Sequence, residues 1–345
     1  MKACIFHEAG NVKIEEIPTP DVLDGQVLIK TKAASVCYSD IRVFRGLKSA
    51  SSGVAIGHEA AGIVESVGKN VSSVVPGQLV SVCPIIPCGG CYFCLRGLQN
   101  RCEHRQTLGY QQNGALAEYI LAPAGLVTMG HLLPLDASIN PEVAAMVEPF
   151  ACALYSLETC KLRPGGTVCI IGCGPMGLIH LLIAKQMGAS KIIMTDPVEE
   201  RLQTARALGA TIAINPQKTN IKDVVDELTL GIGADLSIVS VGDVSAVEDG
   251  IRVTRKQGYI NIFGGLPPGS ELVVDPNKIH YDELFLTGTQ NAPTEHYSRA
   301  ASLLAVMPEA EKLITSRVPL ANAPDIFTQR IALQGLKTIV QFPEA

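Results

Sequence analysis

The sequence predicts an α/β protein, in which a barrel-like β domain is followed by a doubly wound parallel sheet. Before residue 150, short segments rich in valine, isoleucine and alanine are separated by Gly and Pro turns, as in a barrel. From there to residue 288, apolar strands alternate with helical stretches, which is the pattern of βαβ units.

The individual elements follow from these two patterns. The predicted strands of the first region are VLIKTKAAS, AAGIVESVG, QLVSVCP and AEYILAP. Those of the second are VCIIG, KIIMTD, TIAIN, LSIVSV, YINIFG and LFLTGT, with helices at PMGLIHLLIAKQMG and VEERLQTARALG. A last helix near Tyr297–Met307 and a short strand near Lys337–Phe342 complete the set.

Composition limits the class of protein. The chain has 345 residues, of which 47% are hydrophobic and 18% charged, enough for two domains with sizeable cores. A net charge of −5 without a basic run gives no support for binding nucleic acid or anionic membranes. No secretory signal or membrane span is predicted, so we expect a soluble cytoplasmic chain. In a reducing cytosol, the 11 cysteines are interpreted as metal ligands or catalytic groups.

A dinucleotide-binding fingerprint opens the second region. Gly172, Gly174 and Gly177 fit G-x-G-x-x-G, between a strand and a helix. Asp196 follows 24 residues after the first glycine, at the end of the next strand. Glycines here let the backbone approach a pyrophosphate at the helix N-terminus, whereas a structural turn that happens to be glycine-rich is the alternative. Asp196 can bind the adenosine ribose and would repel a 2′-phosphate, which favours NAD, although Arg201 keeps NADP open.

Further cofactor contacts are predicted from position alone. Pro175 and Met176 lie inside the fingerprint. Val241 and Gly242 end the fourth strand of the parallel sheet, and Phe263 and Gly264 end the fifth. Since ligands of such sheets bind at the carboxyl ends of the strands, we expect these residues to line the cofactor pocket.

Four cysteines form a short-range cluster. Cys88, Cys91, Cys94 and Cys102 have the spacing C-x2-C-x2-C-x7-C. Four thiolates satisfy the tetrahedral preference of Zn²⁺ and leave no open position, so the predicted site is structural. An iron–sulfur cluster and four unrelated thiols are the alternatives, and the spacing differs from the usual ferredoxin patterns.

Taken with these motifs, the sequence resembles the zinc-containing alcohol and polyol dehydrogenases of the medium-chain dehydrogenase/reductase superfamily. GHE at 57–59, the cysteine lobe, EPF at 148–150 and GCGPMG occur in the family order. The resemblance implies a GroES-like catalytic domain over residues 1–149, a Rossmann NAD-binding domain over 150–288 and a return to the catalytic domain over 289–345. It also implies a catalytic zinc in the cleft between the domains, and therefore two Zn²⁺ per subunit.

The resemblance also assigns a metal site, which spacing alone does not. Cys37 and His58 match its first two ligands, and Glu148 matches the third, which is glutamate in sorbitol and threonine dehydrogenases. Glu59 matches the acid behind the metal, which ligates it directly or through water. The remaining implied roles are a proton-relaying hydroxyl and an acid that orients the ligand histidine: Ser39 and Asp40. From spacing, Cys152 lies one helical turn after Glu148 and could face the same way as a competing ligand, but a packed core thiol is the preferred interpretation.

The resemblance implies oxidation of a secondary alcohol, of a polyol or sugar-like kind, to a ketone. Zinc would act as a Lewis acid that lowers the pKa of the alcohol, and hydride would pass to NAD⁺. Glutamate at 148 hardens the ligand set, which suits a polyhydroxylated substrate. Two departures are Arg42, where many relatives carry a relay histidine, and the segment 287–292 (TGTQNA), which lacks the Arg-Tyr pair of sorbitol dehydrogenases.

Other activities stay open from the sequence. A threonine-type or butanediol-type dehydrogenase would use the same metal residues. A phosphorylated polyol would need a cationic pocket, for which the candidates are Lys48, Arg42 and His296. A quinone-reductase-like or lens structural protein would have lost the ligand residues, which are present here. The family also implies a homodimer or homotetramer, in which the apolar LFLTGT edge strand joins two sheets.

Overall fold

The protein is described by a computed structural model over residues 1–331 and 335–342. The chain divides into two compact units, one formed by Met1–Ala151 with the described part of Ala292–Ala345, the other by Cys152–Asn291. Within the described residues, no helix has the length and apolar character needed to cross a membrane.

The strands carry both units. In chain order they are β1 (Lys2–Glu8), β2 (Asn11–Glu16), β3 (Val27–Ser35), β4 (Val54–Ala55), β5 (Glu59–Val67), β6 (Leu79–Val82), β7 (Ile85–Ile86), β8 (Gln106–Thr107), β9 (Tyr119–Ala122), β10 (Leu132–Pro134), β11 (Thr167–Ile171), β12 (Lys191–Thr195), β13 (Ile212–Ile214), β14 (Ala234–Val239), β15 (Thr254–Ile262), β16 (Phe285–Gly288), β17 (Ile314–Pro319) and β18 (Lys337–Gln341).

The helices connect and cover these strands. They are α1 (Tyr38–Phe44), α2 (Ala124–Thr128), α3 (Pro141–Ala144), α4 (Val147–Thr159), α5 (Pro175–Gln186), α6 (Glu199–Leu208), α7 (Ile221–Thr229), α8 (Val244–Val253), α9 (Pro276–Asp282), α10 (Thr294–Leu304) and α11 (Ala323–Ile331). Helix α10 ends earlier than the predicted Met307, because Pro308 disfavours helical geometry at the residue before it.

The main sheet of the first unit brings distant segments together. Its strand order is β10-β6-β5-β3-β18-β17, and β9 also pairs with β3. On β3, Ser35 lies opposite Glu59 of β5 and opposite Ile339 of β18. The chain directly after β3, the start of β5 and the start of β18 therefore lie side by side.

The second unit is built on a parallel sheet with strand order β13-β12-β11-β14-β15-β16. This order, with β11 in the centre and crossovers to both sides, is that of a Rossmann fold, so the predicted α/β class is confirmed. Helix α5 starts at Pro175, immediately after the glycine turn that follows β11. The turn is thus held between a buried strand and a helix N-terminus.

One buried histidine fastens α5 to α4. His180 is fully buried, and its Nδ1 donates to Met176 O at 2.7 Å. The second ring nitrogen, Nε2, lies 2.7 Å from the Ser156 hydroxyl, which is also 2.8 Å from Ala153 O on α4. The ring also packs edge-on against Phe263, with centroids 4.6 Å apart. Burial lowers the pKa of His180 to about 4.

This histidine should make stability fall in mild acid. An unfolded histidine titrates near pH 6.5, so between that pH and about 4 the unfolded chain binds a proton that folded His180 does not. The contribution is complete above pH 6.5 and is lost as the pH falls towards 4, up to about 3 kcal/mol. Urea unfolding followed by far-UV circular dichroism from pH 7 to 4.5 should show a shallower pH dependence for His180→Gln than for wild type.

The control for this prediction is another histidine of the same unit. His280 is exposed, so His280→Gln should retain the wild-type slope. Identical slopes for all three proteins would show that burial of His180 does not set the acid sensitivity.

Candidate active site

Three predicted metal residues converge where β3 ends and β5 begins. One ligand atom of each of Cys37, His58 and Glu59 lies within 4.8 Å of the others. Cys37 is half-buried, whereas His58 and Glu59 are 8% and 0% exposed. A thiol, an imidazole and a carboxylate at this spacing form a donor set that fits zinc.

Asp40 holds the ligand histidine in one orientation. Its Oδ1 accepts from His58 Nδ1 at 2.8 Å, and its Oδ2 accepts from the Cys37 backbone N–H at 3.0 Å. With the proton fixed on Nδ1, the Nε2 lone pair is directed away and can bind a metal. Burial acts to lower the pKa of His58, but the charges of Asp40 and Cys37 raise it well above its usual value. Asp40 thus occupies the position predicted for it.

Tyr110 belongs to the same group, although no sequence motif marked it. Its hydroxyl lies 3.0 Å from His58 Nδ1 and 3.5 Å from Asp40 Oδ1, and the side chain of Ser39 is close enough to lower its pKa. Burial, followed by the negative charges of Asp40 and Cys37, raises the pKa of Tyr110 well above its usual value. The predicted relay hydroxyl of Ser39 therefore has a neutral phenol as its neighbour.

A buried ion pair fixes Glu59. Lys337 Nζ donates to Glu59 Oε1 at 2.7 Å and to Oε2 at 2.6 Å. The two residues are separated by 278 positions, and Lys337 is 2% exposed. Both carboxylate oxygens are engaged, so the lysine competes with any metal for this acid.

The other predicted metal residues lie outside the three-residue cluster. Glu148, in the first turn of α4, is 7% exposed, and its carboxylate is not within 4.8 Å of all three. Its charge nevertheless acts on Lys48 and Tyr110. Among the residues that the structure describes, neither ligand cluster includes Cys152. The ligand role of Glu148 stays a prediction.

The four lobe cysteines come together as a second donor set. The Sγ atoms of Cys88, Cys91, Cys94 and Cys102 all lie within 4.8 Å of one another. The Cys88 backbone N–H donates to Cys102 Sγ at 3.2 Å. Backbone hydrogen bonds at Cys94 and Glu103 lower the pKa of Cys91 to about 6, whereas burial raises that of Cys94 to about 12. Four sulfurs at this spacing fit a closed, structural zinc site.

The glycine turn is shaped for close backbone approach. Gly172 has φ +105°, and a Cβ added at Gly177 would lie 1.8 Å from Gly172 O. The turn is tied to Asp196, whose Oδ2 accepts the Cys173 backbone N–H at 2.9 Å and whose Oδ1 accepts that of Val198 at the same distance. Arg201 lies 3.8 Å from Asp196 Oδ2. The predicted acid is therefore placed directly beside the fingerprint.

The strand-end residues adjoin this turn. A Cβ added at Gly172 would meet Val241 Cγ1 at 2.6 Å, and one at Gly264 would meet Val241 O at 2.5 Å. A Cβ added at Gly242 would lie 2.6 Å from Gly265 O. Small residues are thus needed where the carboxyl ends of β11, β14 and β15 meet, which is where a dinucleotide binds in this fold.

Comparison with known proteins decides the family. Residues 23–131 match the alcohol dehydrogenase GroES-like domain, and residues 175–305 match the zinc-binding dehydrogenase domain. The chain belongs to the zinc-dependent medium-chain dehydrogenases. This confirms the family that the motifs indicated and the predicted class of enzyme, an NAD(P)-dependent alcohol dehydrogenase that carries zinc.

Named relatives of this zinc-dependent dehydrogenase have different substrates. The chain is 34% identical over 327 residues to L-threonine 3-dehydrogenase of Bacillus subtilis, covering 93% of this chain and 92% of that protein. It is 34% identical over 332 residues to D-arabitol-phosphate dehydrogenase of Enterococcus avium, covering 94% and 92%. The crystal structure of an alcohol dehydrogenase from Thermotoga maritima superposes with a TM-score of 0.94 at 25% identity, covering 99% of each chain.

Proposed function

We propose that this dehydrogenase oxidises a secondary alcohol of the polyol class to a ketone, with NAD⁺ as hydride acceptor. The convergence of Cys37, His58 and Glu59, with Glu148 in electrostatic reach of the same group, supports the proposal. An oxygen-rich donor set suits a substrate with neighbouring hydroxyls. The similarity to a D-arabitol-phosphate dehydrogenase agrees with a polyol chain.

We assign the catalytic ligands to Cys37, His58 and Glu148, and place Glu59 behind them. The paired contact of Lys337 with both Glu59 oxygens supports this division. When bound, zinc supplies Lewis-acid chemistry that lowers the pKa of the alcohol hydroxyl. Asp40 orients His58. Ser39, beside Tyr110, would accept the substrate hydroxyl proton at Oγ and at the same time pass its own hydroxyl proton on towards solvent.

A substrate panel tests the proposal. NADH absorbance is followed with neutral polyols, 2,3-butanediol, L-threonine and polyol phosphates, using holoenzyme and metal-stripped enzyme verified by elemental analysis. We expect the polyol group to give the highest kcat/KM and stripping to abolish turnover. Preference for L-threonine would favour the alternative activity suggested by the Bacillus relative, and full activity without metal would refute the zinc mechanism.

Asp196 should determine the choice between NAD and NADP. In Asp196→Ala the carboxylate that repels a 2′-phosphate is lost, while the charge of Arg201, which lies 3.8 Å from that carboxylate in the wild type, remains to attract the phosphate. Because Asp196 also holds the glycine turn, both cofactors should bind less well, and the ratio of their kcat/KM values is the informative quantity. We expect the preference for NAD to fall by at least about 100-fold, equivalent to about 2.7 kcal/mol.

A neighbouring acid provides the control for cofactor choice. Glu200 is exposed on α6, and Glu200→Ala should leave the ratio unchanged. An unaltered ratio in Asp196→Ala would exclude Asp196 as the discriminating residue.

We propose a homo-oligomer joined along β16. This strand lies at the edge of the parallel sheet, and its Phe285 and Leu286 are 46% and 40% exposed. An apolar edge strand favours pairing with a second copy.

Light scattering after gel filtration should show a dimer or tetramer for wild type and a smaller species for Leu286→Glu. Val273→Glu, at a residue that is 87% exposed, should keep the wild-type mass; unchanged mass in Leu286→Glu would rule out this interface.

A further inference from the structure

Two cationic side chains lie beside the catalytic group and are not used by the proposed chemistry. Lys48 Nζ lies over the ring of Tyr110, 4.0 Å from its centroid. The hydroxyl of the same ring is 3.0 Å from His58 Nδ1, so Lys48 is separated from a metal ligand by one aromatic ring. Arg105 acts electrostatically on both Lys48 and Tyr110. Both cations therefore lie near this group, on the side of the Tyr110 ring.

Neither cation is neutralised by a close carboxylate. Across residues 1–331 and 335–342, no Asp or Glu oxygen lies within 4.0 Å of the charged nitrogens of Lys48 or Arg105. Lys48 is half-buried, and burial lowers its pKa, as does the charge of Arg105, whereas Cys37, Asp40 and Glu148 raise it. One Arg105 nitrogen donates to Asn100 O at 2.8 Å, which leaves its other N–H groups for a ligand.

The nearby negative groups have other partners. Asp40 is bound by His58 and by the Cys37 N–H. Cys37 and Glu148 neutralise zinc under the assignment made above. Two partly buried cations within reach of each other are then left in excess, which is unfavourable unless an anion joins them. A phosphate monoester matches this need, because a lysine supplies a point charge and an arginine a fork of donors.

We propose that Lys48 and Arg105 bind the phosphate group of a phosphorylated polyol, whose reacting hydroxyl lies at the metal site. The inference rests on the proposed function, since it assumes a polyol substrate. It adds that substrate choice is determined by an anionic group remote from the reacting carbon. The lysine and the arginine would contact the phosphate group of a polyol phosphate. A neutral polyol has no anionic group for them to bind.

Kinetics on matched substrates tests the proposal. For wild type, kcat/KM with D-arabitol 1-phosphate, D-arabitol 5-phosphate or galactitol 1-phosphate should exceed that of the neutral polyol by at least about 100-fold. Lys48→Met should reduce this ratio at least about 10-fold, as expected for one charge-assisted hydrogen bond, and Arg105→Met should act in the same direction. Lys48→Arg should restore most of the ratio, because it restores the charge.

A charge-matched control excludes a general electrostatic effect. Lys69 is exposed in the same unit, and Lys69→Met changes the net charge equally but should leave the ratio at the wild-type value. An equal loss in Lys69→Met and Lys48→Met, or no preference for phosphate esters in wild type, would overturn the proposal. Preference for L-threonine over every phosphate ester would overturn it as well.

Equilibrium binding separates this proposal from the proposed function. Inorganic phosphate titrated into zinc-loaded holoenzyme by calorimetry should bind to wild type and at least about 10-fold more weakly to Lys48→Met. Weakened binding in an enzyme that oxidises no alcohol of the panel would support the phosphate site while refuting the proposed function. Equal phosphate affinity in an enzyme that oxidises neutral polyols would refute the phosphate site alone.

Discussion

Replacing Cys37 with serine is expected to lower kcat/KM for alcohol oxidation by about 10³-fold or more, because loss of a thiolate ligand removes several kcal/mol of Lewis-acid stabilisation. Cys37 is half-buried and belongs to the cluster with His58 and Glu59, here called the open cluster, and not to the cysteine lobe. Elemental analysis should therefore show zinc falling from about two to about one per chain. Circular dichroism should show an intact fold, since the lobe and both cores are untouched.

A thiol outside both metal clusters provides the matched control for this result. Cys160 Sγ lies 3.5 Å from Thr287 Oγ1, and a serine hydroxyl can make the same contact. Cys160→Ser should thus keep both its zinc content and its turnover. Full turnover in Cys37→Ser with one zinc per chain would mean that the open cluster takes no part in catalysis.

Replacing Lys337 with methionine should have the largest effect on stability. The substitution leaves the Glu59 carboxylate, which is 0% exposed, without its counter-ion. Breaking a buried ion pair from one side costs about 3–5 kcal/mol. We expect a marked fall in the urea midpoint of Lys337→Met. Most of it should be recovered in Glu59→Gln/Lys337→Met, where no unpaired charge is buried.

An exposed ion pair shows how much of this effect is due to burial. Lys222 and Asp226 form an ion pair on α7, and their side chains are 38% and 34% exposed. Such pairs contribute about 0–1 kcal/mol, so Lys222→Met should change the midpoint little. If Lys337→Met is equally mild, Glu59 must gain another partner or a proton in the folded state.

The sequence predicted best what local spacing determines. Gly172, Gly174 and Gly177 lie within six residues, and the strand and helix around them have clear apolar patterns, so the turn and its fold followed directly. The cluster of the four lobe cysteines could be predicted equally well, because a short loop limits how far apart Cys88 and Cys102 can lie. In motifs of this kind, the relative positions of the residues are determined by the conformation of one short chain segment.

Long-range contacts could not be predicted in the same way. Cys37 and His58 are brought together by the pairing of β3 with β5, and their roles needed a family template. Lys337 carries no motif, and only the insertion of β18 beside β3 reveals its contact with Glu59. Tyr110 was missed for a related reason, because a single tyrosine in a turn gives no periodic or spacing signal.

The pairing of β18 with β3 has a consequence for biosynthesis. Domains usually fold in the order in which the ribosome releases them. Here the sheet that carries Cys37, His58 and Glu59 receives β18 only after all of Cys152–Asn291 has been made. The nucleotide-binding unit can complete its fold during translation. Glu59 can pair with Lys337 only after a further 278 residues have been synthesised. We therefore expect the unit that begins first along the chain to finish folding last.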